Sequence, residues 1–207
     1  MTNLIFIRHG ETPWNALLKV QGCTDISLSD EGRAQAALVA SRLKGNFSAV
    51  YCSPLDRAFE TASIICGSHD KPIPIADLRE INFGSWEGLT FKEIKAKYPD
   101  EFNNWLVDDV HGTMLDGDTS IRNVSQRAMQ CIYPIIKKHP NETIVIVSHG
   151  GFIKSALIGI FGWNMSMYHH FAMGNTSLTT VRFNEDLRPT LLTLNDTTHL
   201  GTPVTTV

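Results

Sequence analysis

Short apolar runs alternate with stretches of helical periodicity along this chain. The runs at residues 3–7, 49–52 and 143–147 are almost wholly apolar and too short for helices, which predicts strands buried on both faces. Apolar residues at helical spacing predict helices at 30–43, 54–66, 90–98, 118–139 and 152–161. Residues 177–183 and 190–194 predict a closing hairpin. The order of elements predicts an α/β fold, with a doubly wound, mainly parallel sheet flanked by helices.

Residues that commonly begin or end helices mark several of these boundaries. Ser29 precedes the first long helix and Ser53 precedes the second, so we expect both serines to act as N-caps. Asp118 and Thr119 are expected to cap the long helix 118–139. Pro134 lies inside that helix and is expected to kink its last turns.

Composition places the chain among ordinary globular proteins. Its 207 residues include 18 Lys and Arg against 21 Asp and Glu, for a net charge of −3. This balance excludes a disordered chain, and it gives no basic surface that would indicate a nucleic-acid partner. No apolar run approaches the roughly 20 residues of a membrane span. We expect one domain at 1–195 with a small helical cap insertion at about 87–119, then a weakly ordered tail at 196–207. The oligomeric state stays open.

The cysteines and the N-terminus favour a cytoplasmic protein. The four cysteines form no C-x-x-C pair, and we interpret them as reduced, mostly buried thiols. The chain opens directly into an apolar strand, without the basic region or cleavage site of a signal peptide. His169 and His170 are adjacent and therefore point to different faces of a helix or strand, so we expect no metal site there.

Basic side chains follow three of the predicted parallel strands. Arg8 and His9 end the first strand, Arg57 lies in the helix after the second, and His149 follows the strand 143–147. Because parallel sheets bind ligands beyond the carboxyl ends of their strands, we expect these side chains to meet at one edge. A satisfied ion pair would explain one such junction alone. Three junctions with helix N-terminal amides predict a site for a phosphate-sized anion.

This set of residues fits phosphoryl transfer. Two arginines and a second histidine can bind phosphoryl oxygens, and a neutral imidazole held in one tautomer is a competent nucleophile. The sequence has no Walker-type loop, so the site is not that of a nucleotide triphosphatase.

Several motifs, in the right order, resemble the histidine phosphatase (phosphoglycerate mutase-like) superfamily over residues 3–180. They are Leu4-Ile5-Phe6-Ile7-Arg8-His9-Gly10-Glu11-Thr12, Ser53-Pro54-Leu55-x-Arg57-Ala58, Leu78-Arg79-Glu80-x-x-Phe83-Gly84-x-Trp86-Glu87-Gly88 and Ser148-His149-Gly150-Gly151. The segment 86–105 is similar to that of the small bacterial phosphatases of this family, such as alpha-ribazole phosphatase. Many members have Gly-Glu-Ser before the long helix, where this chain has Gly117-Asp118-Thr119.

The resemblance implies a role for each matching residue. His9 is expected to be the nucleophile, and Glu80 is expected to protonate the leaving oxygen and then activate water. The expected phosphate ligands are Arg8, Arg57, His149 and Asn15, and the residues expected to line the substrate pocket are Gln21, Gly22 and Gly150. A surface position or a salt bridge to Arg79 is the alternative for Glu80. The family mechanism implies no metal or organic cofactor.

Charge within the expected cap separates the candidate functions. Residues 87–119 hold three lysines and eight acids, a sum of −5, which leaves +2 for the rest of the chain. An acidic cap is poorly suited to a polyanion, so we expect a phosphomonoester hydrolase acting on a small phosphorylated metabolite. Mutase-type phosphoryl transfer is the alternative, and the acids then form only a solvated face. A non-catalytic module that binds phosphorylated ligands is a third possibility. It is disfavoured because such a module is expected to lack a catalytic residue, whereas this chain has all five, namely Arg8, His9, Arg57, Glu80 and His149.

Overall fold

A six-stranded sheet forms the centre of the computed structural model, which describes residues 1–68, 71–114, 116–118 and 120–201. The strands are β1 (Thr2–Arg8), β2 (Ala49–Cys52), β3 (Ile73–Pro74), β4 (Thr143–Ser148), β5 (Leu178–Phe183) and β6 (Pro189–Asp196). Their order is β3-β2-β4-β1-β5-β6, with the first four strands parallel and the last two antiparallel. The predicted mainly parallel sheet and its closing hairpin are therefore confirmed.

Helices cover both faces of this sheet. They are α1 (Pro13–Ala16), α2 (Asp30–Leu43), α3 (Asp56–Cys66), α4 (Phe91–Lys97), α5 (Pro99–Val107), α6 (Ile121–Lys138) and α7 (Gly150–Phe161). One apolar core joins α2 and α3 to one face through Val39, Ala62 and Ile65. The larger core joins α6, α7 and the segment 78–105 to the other face. The α/β fold is confirmed.

The helix boundary predicted for α2 agrees with the structure, whereas those predicted for α3 and α6 do not. Ser29 caps α2 by accepting a hydrogen bond from the Gly32 amide. The prediction for Ser53 is wrong, since α3 begins at Asp56 without a side-chain cap. Helix α6 is capped by Ser120, not by Asp118, while Thr119 lies outside the described residues. The helix continues through Pro134 to Lys138.

The segment 87–119 contains the helices α4 and α5 and a cluster of aromatic side chains. Phe102 and Trp105 of α5 are buried, and the Trp105 ring lies 5.5 Å from that of Trp86, centroid to centroid. Phe91 stacks on Trp105 but stays about half exposed. Core packing therefore accounts for the two aromatic residues of α5.

The chain beyond β6 contacts the body of the molecule. Asp196 pairs with Arg42 of α2, and His199 lies 3.1 Å from the Thr176 hydroxyl, ring Nε2 to Oγ1. Residues 202–207 of the expected tail lie outside the described part of the chain. None of the helices in the described residues is long and apolar enough to cross a membrane.

Candidate active site

The carboxyl ends of three neighbouring parallel strands form the candidate active site. In the register of the sheet Arg8 of β1 lies opposite Ser148 of β4, and the last residue of β2 lies opposite Val147. The residues following these strands therefore meet at one edge of the sheet, as the sequence predicts. The imidazole rings of His9 and His149 are 5.2 Å apart, centroid to centroid.

His9 is held in one orientation and one tautomer. Its side chain is buried, and its Nδ1 lies 2.7 Å from the Gly10 carbonyl oxygen. A carbonyl can only accept, so the network assigns the proton to Nδ1 and leaves the lone pair on Nε2. Burial, then the charges of Arg57 and Arg8, hold the pKa of His9 well below its usual range. The result is a neutral imidazole with a free nucleophilic nitrogen.

His149 has the complementary arrangement. Its Nε2 lies 2.7 Å from the Ser53 hydroxyl, and that hydroxyl accepts a hydrogen bond from the Leu55 amide at 3.3 Å. The described residues offer the Ser53 proton no acceptor other than Nε2, so Ser53 donates to Nε2, which assigns the ring proton to Nδ1. Nδ1 is buried and has no partner among the described residues. Burial is the largest cause that keeps the pKa of His149 well below normal.

Both arginines are anchored by backbone carbonyls. Arg57 is fully buried and donates from Nη1 to the Thr24 oxygen at 2.9 Å and from Nη2 to the Gly22 oxygen at 2.7 Å. Arg8 donates from Nη1 to the Met173 oxygen at 2.6 Å. Burial lowers the pKa of each guanidinium, with the charge of Glu80 opposing the shift. Since neutral carbonyls hold these groups, their charge is available to an anion.

Three buried N–H donors at this edge have no hydrogen-bond partner within the described residues. They are Nε of Arg8, Nε of Arg57 and Nδ1 of His149. Buried polar groups of folded proteins are usually paired, so three unpaired donors at one edge of the sheet make that edge a candidate anion site, although the indole N–H groups of Trp86 and Trp105 are unpaired as well. A tetrahedral oxyanion can accept from all three, which is the arrangement expected for a bound phosphoryl group.

Glu80 lies beside this set, at the N-terminus of α7. It is buried, and its carboxylate accepts from the amides of Ile81, Gly151 and Phe152 at 2.8, 3.0 and 2.7 Å. The alternatives of a surface position and a salt bridge to Arg79 are wrong, because Arg79 pairs with two aspartates, Asp77 and Asp118. The carboxylate is therefore fixed by backbone amides next to the basic residues.

The more peripheral candidates also lie near these groups. The Asn15 side-chain oxygen accepts from Thr12, and Asn175 joins it to the site by donating to both Asn15 and the His9 carbonyl. Gln21 is buried with no partner for its Oε1 among the described residues. A Cβ added to Gly150 would lie 3.4 Å from Nε of Arg8.

Sequence reasoning missed two residues that orient the site. Ser53 sets the tautomer of His149, and Thr61 of α3 accepts from the Gly10 amide at 3.0 Å, next to His9. The signal available for Ser53 was its position directly after a parallel strand. His169 bonds to the Trp105 carbonyl, and the described residues hold no cluster of three or more metal-ligating side chains.

Comparison with known proteins identifies the family. Residues 4–197 match the model of the histidine phosphatase superfamily (branch 1). The chain belongs to this superfamily. A mutant phosphoserine phosphatase from Entamoeba histolytica, solved in complex with phosphoserine, superposes with a TM-score of 0.90 at 42% identity, over 97% of this chain and 100% of that one. Phosphoserine phosphatase 1 of Hydrogenobacter thermophilus is 33% identical over 97% of this chain and 95% of its own length.

A third similarity lies with the small bacterial phosphatases. An Escherichia coli protein solved as an alpha-ribazole-5'-P phosphatase candidate has a TM-score of 0.81 at 27% identity, covering 95% of this chain and 97% of its own. This histidine phosphatase is thus an enzyme that hydrolyses phosphomonoesters of small metabolites. The family, the fold class and the phosphatase activity expected from the sequence are confirmed.

Proposed function

We propose that this enzyme hydrolyses O-phosphoserine through a phosphohistidine formed on His9. The observation that carries the mechanism is the set of three unpaired buried donors of Arg8, Arg57 and His149 around a neutral imidazole. These donors bind the phosphoryl oxygens and stabilise the charge that develops during transfer. Asn15 assists in binding the phosphoryl group, and Gln21, Gly22 and Gly150 line the substrate pocket.

The reaction proceeds in two displacements. Nε2 of His9 attacks phosphorus, the bond to the seryl oxygen breaks, and Glu80 as the carboxylic acid gives its proton to that oxygen. Water then attacks the phosphohistidine, Glu80 takes a proton from the water, and the N–P bond breaks. Phosphate leaves, and His9 returns to its neutral state.

Phosphoserine fits both the relatives and the charge of the chain. Two phosphoserine phosphatases are 33% and 42% identical to it over nearly their whole lengths. Serine is a zwitterion without net charge, which suits a cap at 87–119 with a sum of −5 better than a phosphoglycerate would. An Arabidopsis thaliana relative described as a metal-independent phosphoserine phosphatase is 34% identical over 77% of this chain and 69% of its own, and supports catalysis without a metal. A cytoplasmic location accords with the four cysteines, which the sequence indicates are reduced thiols.

A phosphate-release assay tests the substrate. We expect kcat/KM for O-phospho-L-serine to exceed that for 3-phosphoglycerate by about tenfold or more, because the acidic cap repels the more negative 3-phosphoglycerate. We also expect no loss of rate in EDTA. O-phosphoethanolamine, which lacks the carboxylate, is the matched comparison. Faster turnover of 3-phosphoglycerate, or its conversion to the 2-isomer, would favour the mutase alternative, for which an Arabidopsis thaliana phosphoglycerate mutase-like protein at 39% identity is the precedent.

The role of Glu80 has its own test. Glu80→Gln removes the proton donor, so cleavage of phosphoserine should fall by about 10²- to 10⁴-fold. Nitrophenolate leaves without a proton, and the pre-steady-state burst from p-nitrophenyl phosphate should therefore persist in the same variant. Equal loss with both substrates would exclude Glu80 as the acid for the leaving group.

A further inference from the structure

The carboxylate of Glu87 is bound by the turn of residues 22–24. Its Oε1 accepts from the Cys23 amide at 2.9 Å and from the Phe83 amide at 3.1 Å. Its Oε2 accepts from the amide of Thr24 at 3.0 Å and from the hydroxyl of the same residue. Glu87 has no lysine or arginine within salt-bridge distance in the described part of the chain. Its four bonds therefore all go to neutral groups, and three of them go to the turn.

The same turn holds the guanidinium of Arg57 on its other side. The two carbonyls that anchor Arg57 are those of Gly22 and Thr24, at 2.7 and 2.9 Å. The Gly22 carbonyl and the Cys23 amide belong to one peptide group. A single peptide unit therefore lies between the negative Glu87 and the positive Arg57, with its N–H toward the carboxylate and its C=O toward the guanidinium. Hydrogen bonds in such a chain polarise and strengthen each other.

The turn of residues 22–24 packs tightly against the carboxylate of Glu87. Gly22 has a φ of +55°, and a Cβ added there would lie 1.9 Å from Oε1 of Glu87. The bond to Phe83 also connects the turn to the segment that carries Glu80, and the Cys23 thiol lies 3.6 Å from the Glu80 carbonyl oxygen. Moving the carboxylate would displace the turn and, with it, the anchor of Arg57.

We propose that Glu87 is a positioning residue for phosphoryl binding, which acts on Arg57 through the Gly22–Cys23 peptide. This role rests on the proposed function of Arg57 as a ligand of the phosphoryl group. The peptide lets the carboxylate orient Arg57 without forming a direct ion pair. A direct carboxylate partner would compete with phosphate for the guanidinium, whereas a carbonyl leaves its charge for the substrate.

A double-mutant cycle tests whether Glu87 acts through Arg57. Glu87→Gln keeps the size of the side chain but turns an NH₂ group toward one of the amide donors. We expect the inhibition constant of inorganic phosphate, measured with p-nitrophenyl phosphate as substrate, to rise about tenfold in this variant. In an Arg57→Ala background, Glu87→Gln should alter the phosphate inhibition constant by less than about twofold. A residue that acts only through Arg57 has no effect on phosphate binding once Arg57 is removed.

Two further variants keep the test decisive. Glu93→Gln is the matched control, since Glu93 also accepts from a backbone amide, that of Thr90, but does so in the exposed capping box of α4. Its phosphate inhibition constant should stay within about twofold of the parent. Thr24→Val removes only the hydroxyl donor to Glu87, and it should raise the phosphate inhibition constant about threefold. This variant replaces Glu87→Gln in the test if Glu87→Gln does not fold.

The outcomes separate this inference from the proposed function. Equal effects of Glu87→Gln in the parent and in Arg57→Ala would overturn the positioning role and leave the function of Arg57 intact. An unchanged phosphate constant in folded Glu87→Gln, or in Thr24→Val when the former does not fold, would overturn it as well. If Arg57→Ala itself leaves phosphate binding unchanged, the proposed role of Arg57 fails, and the role of Glu87 fails with it.

Discussion

Single hydrogen bonds decide which nitrogen of each active-site histidine faces the substrate. The Gly10 carbonyl leaves Nε2 of His9 with its lone pair, and Ser53 leaves Nδ1 of His149 with its proton. One ring therefore has the lone pair that the proposed nucleophile needs, and the other has an N–H to donate, although both lie in the same basic environment. The difference between them comes from their partners and not from their charge.

Ser53 should consequently matter for turnover more than for folding. In Ser53→Ala, His149 loses the bond that fixes its tautomer, and kcat/KM for phosphoserine should fall about 10- to 100-fold, the value of a buried hydrogen bond of about 1–3 kcal/mol. Ser63→Ala is the control, because Ser63 bonds only to the Phe59 carbonyl on the exposed face of α3. Parent-like kinetics in Ser53→Ala would show that its hydroxyl does not orient His149.

At this scale the sequence predicts which residues meet but not how each is held. Arg8, His9, Arg57 and His149 could be found because parallel strands end at one edge. The bond from Ser53 to His149 could not be predicted, since a serine three residues before a helix start carries the same local signal whether it caps the helix or bonds to a histidine from a distant strand. Glu87 was missed for the same reason, because its partners in the turn 22–24 lie more than 60 residues away in the chain.

The loop after β1 is fixed by its contact with the N-terminus of α2. A Cβ added to Gly32 would lie 2.1 Å from the Glu11 carbonyl oxygen, and one added to Gly10 would lie 2.4 Å from the Gly32 oxygen. The backbone of the nucleophile's loop and the first turn of α2 are thus in direct contact. The Ser29 amide adds a hydrogen bond to the same Glu11 oxygen at 2.9 Å.

Substitution at this contact should reduce both stability and activity. Gly32→Ala forces the loop away from α2, so the free energy of unfolding should fall by roughly 1–3 kcal/mol, as overpacked sites do. The rate should fall as well, because the Gly10 carbonyl that holds His9 moves with the loop. Urea unfolding and kcat measure the two effects, with Ser41→Ala on the exposed face of α2 as control. An unchanged unfolding curve would mean that the contact adjusts without cost.

Element boundaries were predictable where the signal is local. Pro99 directly follows the predicted helix 90–98, and it also occupies the first position of α5, where a proline costs no hydrogen bond. The position of Asp118 explains the later start of α6. Its carboxylate accepts from the Asn82 amide and pairs with Arg127, which leaves Ser120 to cap the helix.

Charge is distributed unevenly over the whole molecule, but local bonds explain much of the acidic segment. Asp108 accepts from the amides of Val110 and His111, which helps hold its pKa below the usual range. Glu87, Glu93 and Asp118 likewise bind backbone amides. These four carboxylates therefore stabilise the segment 87–119 itself, and any effect on substrate choice comes through the field they add together.

Burial of neutral histidines links the stability of the molecule to pH. Since the pKa values of His9 and His149 are lowered in the folded state, the unfolded chain binds more protons below its normal histidine pKa of about 6.5. The stability from this source is complete above that pH and decreases as the pH falls. The expected slope is about 2.7 kcal/mol per pH unit for the two groups together.

Urea unfolding between about pH 7.5 and 5.5 in phosphate-free buffer measures this slope. His9→Gln should reduce the slope by about 1.4 kcal/mol per pH unit, because one titrating group with a lowered pKa is removed while His149, His169 and His199 remain. A flat profile below about pH 6.5 would mean that the histidines take up protons without unfolding.

The phosphohistidine is the central claim, and rapid quenching with ³²P-labelled phosphoserine tests it most directly. The account predicts acid-labile, alkali-stable label on His9 in the parent enzyme. It predicts neither label nor turnover in His9→Ala, which retains the three donors that bind phosphate. Label that survives in His9→Ala, or parent label that maps to another residue, would place the nucleophile elsewhere and contradict the account.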